Sequence, residues 1–232
     1  MDHPWWFASG TDASCSRQQD VGIHHQEHTR GIDSMQNELD ECYISVDVET
    51  AGPDPHNYAL LSIGACLADD IEKSFYVELR PTTMNATQEA LAISGLSLET
   101  LAETGLSPKE AMRRFEDWLQ DIACPGRQPI FVAFNAVFDW MFVNTYFHRY
   151  LGRNPFGHAG LDMKAFFMGL TGSHWRETAM RLVASRFDCE IELVHNALQD
   201  AQDQALLFQA MLRGADAYRA PQTGQNKTEE ET

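Results

Sequence analysis

The chain has 232 residues and a formal net charge of −17 at neutral pH, which is length enough for one domain with a proper core. No apolar run approaches the roughly 20 residues that span a bilayer, and the opening MDHPWWFASG has neither the basic region nor the apolar stretch of a signal peptide. The acidic balance also argues against a wide basic groove for long nucleic acids.

Residues 1–34 scatter Ser, Asp, Gln and Gly without sustained periodicity, so an irregular, disordered extension is expected there. Its cluster of His24, His25 and His28 reads as solvated rather than as a metal site. Folding begins near Glu41. CYISVDVET (Cys42 to Thr50) is rich in Tyr, Ile and Val and predicts a strand, on which Asp47 and Glu49 share one face and Val46 and Val48 the other. Two carboxylates side by side on a buried strand repel and lose hydration, so a divalent cation is expected between them.

Further strands are predicted near 59–67 and 74–80, and a helical region from about Met84 to Ile93. A helix then runs from Pro108 to Ile122, with Ala111, Phe115, Trp118, Leu119 and Ile122 on one face, and stops at Cys124-Pro125-Gly126. The run Pro129 to Phe134 fits an interior strand at 130–134, and Asn135 opens the next helix. There Phe138, Met141, Phe142, Thr145 and Tyr146 form the buried face. Asp139 falls in the first turn, where backbone N–H groups and the dipole are expected to keep it ionised.

Asp162 precedes an apolar stretch and reads as an N-cap. A helix follows from about Trp175 to Phe187. In the last helix, from Ala197 to about Leu212, Ala197, Ala201, Ala205, Phe208 and Leu212 recur at helical steps, which puts Asp200 in its first turns and His195 just ahead on a less regular stretch. Residues 216–232 lack the apolar surface to order themselves and are expected to be a disordered acidic tail. The five cysteines are odd in number and lack metal spacing, so free thiols in a reducing compartment, the cytoplasm, are expected.

Three strands followed by alternating helix and strand predict an α/β fold. Asp47, Glu49, Asp139 and Asp200 offer hard oxygen ligands from three separate elements, a set suited to two Mg²⁺ or Mn²⁺ ions about 3.5–4 Å apart. His195, with a reference pKa of roughly 6.5, suits a general base that takes the proton of an attacking water. Each has a bland reading alone: a solvated edge strand, a helix-stabilising charge, a loop histidine. Their combination favours a nuclease site.

The order and wording of the motifs, Asp47-Val-Glu49-Thr50, Asn135-Ala-Val-Phe138-Asp139 and His195-Asn-Ala197-Leu-Gln-Asp200, resemble those of the DEDDh family of 3′-to-5′ exonucleases. The similarity runs from about Tyr43 to about Leu212, including Leu60-Leu-Ser-Ile-Gly-Ala65 as the family's second strand. The resemblance implies a ribonuclease H-like fold, with a mixed five-stranded sheet and helices on both faces, within an exonuclease domain at 35–215. It implies Asp47, Glu49, Asp139 and Asp200 as metal ligands, His195 as general base, and release of nucleoside 5′-monophosphates from a free 3′ end. Thr50, Ala51 and Phe138 would line the terminal-nucleotide pocket.

Phe134 stands where the family often has His, and Gln199 where it often has an acid; both bear on substrate preference. Residues 35–215 hold 25 acidic and 13 basic side chains, a balance of −12. Contact with a few nucleotides at a single-stranded 3′ end, or a short oligonucleotide, is therefore expected. Arg149, Arg153, Lys164, Arg176 and Arg181 are candidate phosphate contacts. Dimeric members of the family make a homodimer a candidate assembly. The alternative from another class is a non-catalytic nucleic-acid-binding or regulatory subunit with the same fold.

Overall fold

The structure, a computed structural model, describes residues 41–191 and 194–219. The readings for residues 1–34, with their histidine cluster, and for 220–232 lie outside the described residues. A five-stranded sheet organises the rest. It contains β1 (Cys42–Thr50), β2 (Leu60–Leu67), β3 (Asp70–Glu78), β4 (Pro129–Ala133) and β5 (Gly160–Asp162), in the spatial order β3-β2-β1-β4-β5. The first three strands pair antiparallel, while β1–β4 and β4–β5 pair parallel. The sheet is therefore mixed, as expected.

Alternation along β1 divides the two faces. Ile44, Val46 and Val48 join a core with α3 (Pro108–Trp118) and α4 (Ala136–Leu151). On the opposite face β2 and β4 supply Cys66 and Val132 to a second core with α5 (Met163–Thr171), α6 (Met180–Arg186) and α7 (Ala197–Arg219). Two short helices, α1 (Gln88–Ser94) and α2 (Leu98–Thr104), complete the chain order. Their N-caps Thr87 and Ser97 each accept a backbone N–H three residues on, which fixes where they start.

Phe75, Phe147 and Trp118 gather around Phe115, the first two with centroids 5.0 and 5.6 Å away. Offset aromatic packing of this kind adds roughly 0.5–1.5 kcal/mol per pair beyond area burial. Beside it Glu116, only 4% exposed, receives both guanidinium arms of Arg153 at 2.7 Å. That pairing commits Arg153 to the scaffold and removes it from the candidate phosphate contacts.

Several boundaries differ from expectation for local reasons. β3 begins at Asp70 rather than 74, directly after a tight link from β2; its charged, solvent-facing start concealed the strand. The Pro108–Ile122 helix is α-helical only to Trp118 and continues as a π turn, Leu119–Ala123, closed by Cys124 N–H to Leu119 O at 2.8 Å. The single helix expected from Trp175 to Phe187 is a 3₁₀ turn, Trp175–Glu177, followed by α6. There the Glu177 carboxylate accepts the His174 N–H, and the Thr178 hydroxyl donates to the Trp175 carbonyl, closing the turn on itself. The last helix continues to Arg219, beyond Leu212.

The expectation of free thiols is corrected for one pair. Cys42, at the start of β1, and Cys124, after the π turn, form a disulfide with Cα atoms 5.9 Å apart. An 82-residue separation hid this neighbourhood from sequence spacing; it arises because β4, which starts at Pro129, pairs with Cys42. Cys66 and Cys189 are free thiols. No helix among the described residues is long and apolar enough to cross a membrane.

Candidate active site

The faces of β1 set the site. With Val46 and Val48 pointing into the core, Asp47 and Glu49 project from the other face, towards α7. The β1–β2 register shifts between Glu49 and Thr50, a bulge that ends the regular ladder just after the second carboxylate. Asp200 enters from the first turn of α7, and oxygens of Asp47, Glu49 and Asp200 all lie within 4.8 Å of one another.

Asp139 reaches the cluster from the other side of the sheet. It is 4% exposed in the first turn of α4, and its Oδ1 accepts the Val48 backbone N–H at 3.2 Å. Asn135, the residue before α4, takes a left-handed conformation (φ 69°) without a side-chain cap bond, so the chain turns sharply from β4 into the helix that carries Asp139. His195 also adopts positive φ, 54°, just ahead of α7. Asn196 then accepts the N–H groups of Leu198 and Gln199 with its Oδ1, securing the helix start.

All four acids and His195 line one cavity of about 480 Å³, together with Thr50, Phe138, Met180 and Gln204. Thr50 donates its hydroxyl to the Gly52 carbonyl, and Phe138 packs on Phe142 with centroids 5.5 Å apart. Ala51 is fully buried and does not line the cavity; its N–H donates to Ala59 and its carbonyl accepts from Thr87. Among the described residues no Lys or Arg lines the cavity. Lys164 instead lies 4.1 Å from the ring centre of Trp175, a cation–π contact. Asp162 is the N-cap it was expected to be, accepting the Ala165 N–H at 2.8 Å.

Crowded carboxylates without a cation are reluctant to ionise. Burial, then the charges of Asp139, Glu49 and Asp200, raises Asp47 well above the usual carboxylate range, while Gln204 pulls it down. Burial and the charge of Asp200 push Glu49 up to about 7. Burial pushes Asp139 to about 8 against the backbone N–H groups around it, so its place at a helix start does not by itself keep it ionised. Asp200 is raised by burial, against the Val194 N–H and His195. Hard oxygen donors that raise one another, in a cavity that no Lys or Arg lines among the described residues, fit a divalent cation.

Sequence reasoning missed Gln204. It is 3% exposed and hydrogen-bonds Asp47. The signal was present: Ala197, Ala201, Gln204 and Phe208 form one helical stripe, so an amide sits where the periodicity demands a buried residue.

The chain matches the model of a family described as Exonuclease over residues 44–208. It is 45% identical over 168 residues to "3′-5′ DNA exonuclease Cap18" of Escherichia coli, covering 72% of this chain and 90% of the relative. To a "Ribonuclease T" of Shewanella denitrificans it is 31% identical over 176 residues, covering 71% and 77%. Among solved structures, the nuclease domain of 3′hExo, a DEDDh family member bound to rAMP, superposes with a TM-score of 0.62 at 14% identity, covering 75% of this chain and 92% of that one. E. coli Exonuclease I in complex with a dT13 oligonucleotide gives 0.58 at 16% identity, covering 77% and 42%. Both share the fold.

Proposed function

The chain belongs to the exonuclease family, and from that premise we propose that it hydrolyses the terminal phosphodiester at the 3′ end of a single strand, releasing nucleoside 5′-monophosphates. One observation carries the reading: four carboxylates from β1, α4 and α7 meet His195 in a single cavity that, among the described residues, no Lys or Arg lines. A substrate phosphate can enter such a cavity only with cations beside it.

Asp47, Glu49, Asp139 and Asp200 would hold two Mg²⁺ or Mn²⁺ ions. When bound, such ions supply Lewis acidity to the phosphate oxygens and neutralise their charge. The chain's own groups do the rest. His195, on the exposed turn ahead of α7, accepts a proton at an imidazole nitrogen from the attacking water. The water oxygen forms the new bond to phosphorus, the bond to the 3′ oxygen of the penultimate nucleotide breaks, and that oxygen takes up a proton. Phe138 and Thr50 flank the space for the terminal nucleoside. Ala51 contributes by holding the β1 end and the Thr87 cap together rather than by facing the cavity.

Likeness to a protein named a DNA exonuclease at 45% identity leads us to propose DNA as the favoured strand, with RNA next. The acidic surface favours contact with a few nucleotides over wrapping of duplex. Family membership also leads us to propose a homodimer, tested by light scattering; the cytoplasmic location expected from free thiols loses that support with the Cys42–Cys124 disulfide and is tested by fractionation. The deciding experiment is a time course with Mn²⁺ on matched 5′-labelled DNA and RNA strands. A ladder shortening from the 3′ end, faster on DNA, is expected. Binding of either strand without cleavage under any divalent metal would support a non-catalytic binding subunit instead.

A further inference from the structure

We propose that Gln204 is a positioning residue for Asp47, holding that carboxylate in place for the metal and fastening together the three segments that build the site. The inference rests on the metal-dependent reading above.

Gln204 projects from α7 into the end of the sheet. Its Nε2 donates to Asp47 Oδ1 at 2.7 Å, and its Oε1 accepts the Phe134 backbone N–H at 2.8 Å. The amide orientation follows from chemistry: a backbone N–H can only donate, so the oxygen must face Phe134 and the NH₂ must face Asp47.

The place of this bridge in the sheet explains why an amide is needed. The parallel pairing of β1 with β4 runs from Cys42–Pro129 to Ser45–Val132 and then stops. Two residues further along, Asp47 and Phe134 sit where the next rung would fall, and the Phe134 N–H has no strand partner. Gln204 supplies one. The carboxamide acts as a substitute peptide group between diverging strands and so avoids the cost of a buried unpaired N–H.

The same amide constrains Asp47. One lone pair of Oδ1 is occupied by a 3% exposed donor, which restrains the position of that oxygen before any ion arrives. The other oxygen and the remaining lone pairs stay available, since an ionised carboxylate has about four acceptor sites. Side chains that orient ligands in this way typically contribute about 10- to 100-fold in metal affinity or activity. A single side chain thus joins the first motif, the β4–α4 junction and the third motif.

The test is Mn²⁺ binding by the full chain, followed by electron paramagnetic resonance without substrate, beside turnover and thermal melting. Gln204→Met retains length and apolar volume but neither hydrogen bond. It is expected to bind Mn²⁺ roughly 10- to 100-fold more weakly and to lose turnover at fixed metal. Phe208→Leu, one turn along the same helix in the core beneath, should lower the melting temperature without moving the Mn²⁺ midpoint. If Gln204→Met does not fold, Gln204→Asn, too short to span both partners, is read by the same criterion. An unchanged Mn²⁺ midpoint in a folded Gln204 variant overturns the positioning role alone. A wild-type chain that binds no Mn²⁺ overturns the metal reading and this inference with it.

Discussion

Gly64 on β2 lies against the Ala197 peptide carbonyl at the start of α7, so closely that a Cβ at position 64 would overlap the carbonyl carbon and oxygen. Gly64 is also the β2 partner of Asp47 in the antiparallel register. The absent side chain therefore brings the first turn of α7, and Asp200 with it, down onto the strand that carries Asp47. Gly64→Ala must push the helix outward, because the obstacle is backbone. A loss of about 1–3 kcal/mol is expected for such overpacking, with turnover falling further than the folded fraction does. Denaturant unfolding and a rate measurement at a temperature where the variant is folded check both.

The raised carboxylates predict an unusual pH dependence for metal-free protein. Glu49 and Asp139, pushed to about 7 and about 8, hold protons in the folded state that the unfolded chain releases in the ordinary carboxylate range. The folded state then binds more protons across that window, so stability falls as pH rises through it. In EDTA the melting temperature should drop between pH 5 and pH 8, and added Mg²⁺ should restore most of the drop at pH 8. A flat profile in EDTA would show that the cluster is not strained.

His195→Ala should separate chemistry from binding. A general base typically contributes 10²- to 10⁴-fold, and the His195 ring is not among the three carboxylates that approach within 4.8 Å. A fall in kcat of that size is expected, with Mn²⁺ affinity nearly unchanged, as read by steady-state kinetics beside a metal titration.

The Cys42–Cys124 bridge closes a long loop that contains β2, β3 and α3. Cys124→Ser, with Cys42 left as a thiol, should cost about 2–4 kcal/mol of stability. Turnover below the unfolding transition should be preserved, since the bridge joins the ends of β1 and the π turn rather than the cavity. Unfolding curves with and without reductant give the comparison.

What could be read from the chain alone followed the strength of local signals. The alternation in SVDVET fixes which face carries Asp47 and Glu49, and the helical spacing of Phe138, Phe142 and Tyr146 fixes the buried side of α4, with Phe142 and Tyr146 fully buried. β5 was missed because it spans only three residues, Gly160–Asp162. The disulfide and the Gln204 bridge join residues 82 and 157 positions apart, and no local pattern encodes such a contact. The pull of burial on Asp139 was likewise out of reach, because it depends on how deeply α4 and β1 bury that carboxylate.

The most direct test of the metal-dependent hydrolysis uses a single strand labelled on its 3′-terminal nucleotide, incubated with Mg²⁺, with EDTA, and with EDTA followed by excess Mg²⁺, beside Asp47→Ala. The first product is expected to be labelled nucleoside 5′-monophosphate, which disappears with EDTA and returns with Mg²⁺, and Asp47→Ala is expected to release none. Label appearing first in internal fragments, release that persists in EDTA, or an active Asp47→Ala protein would contradict it.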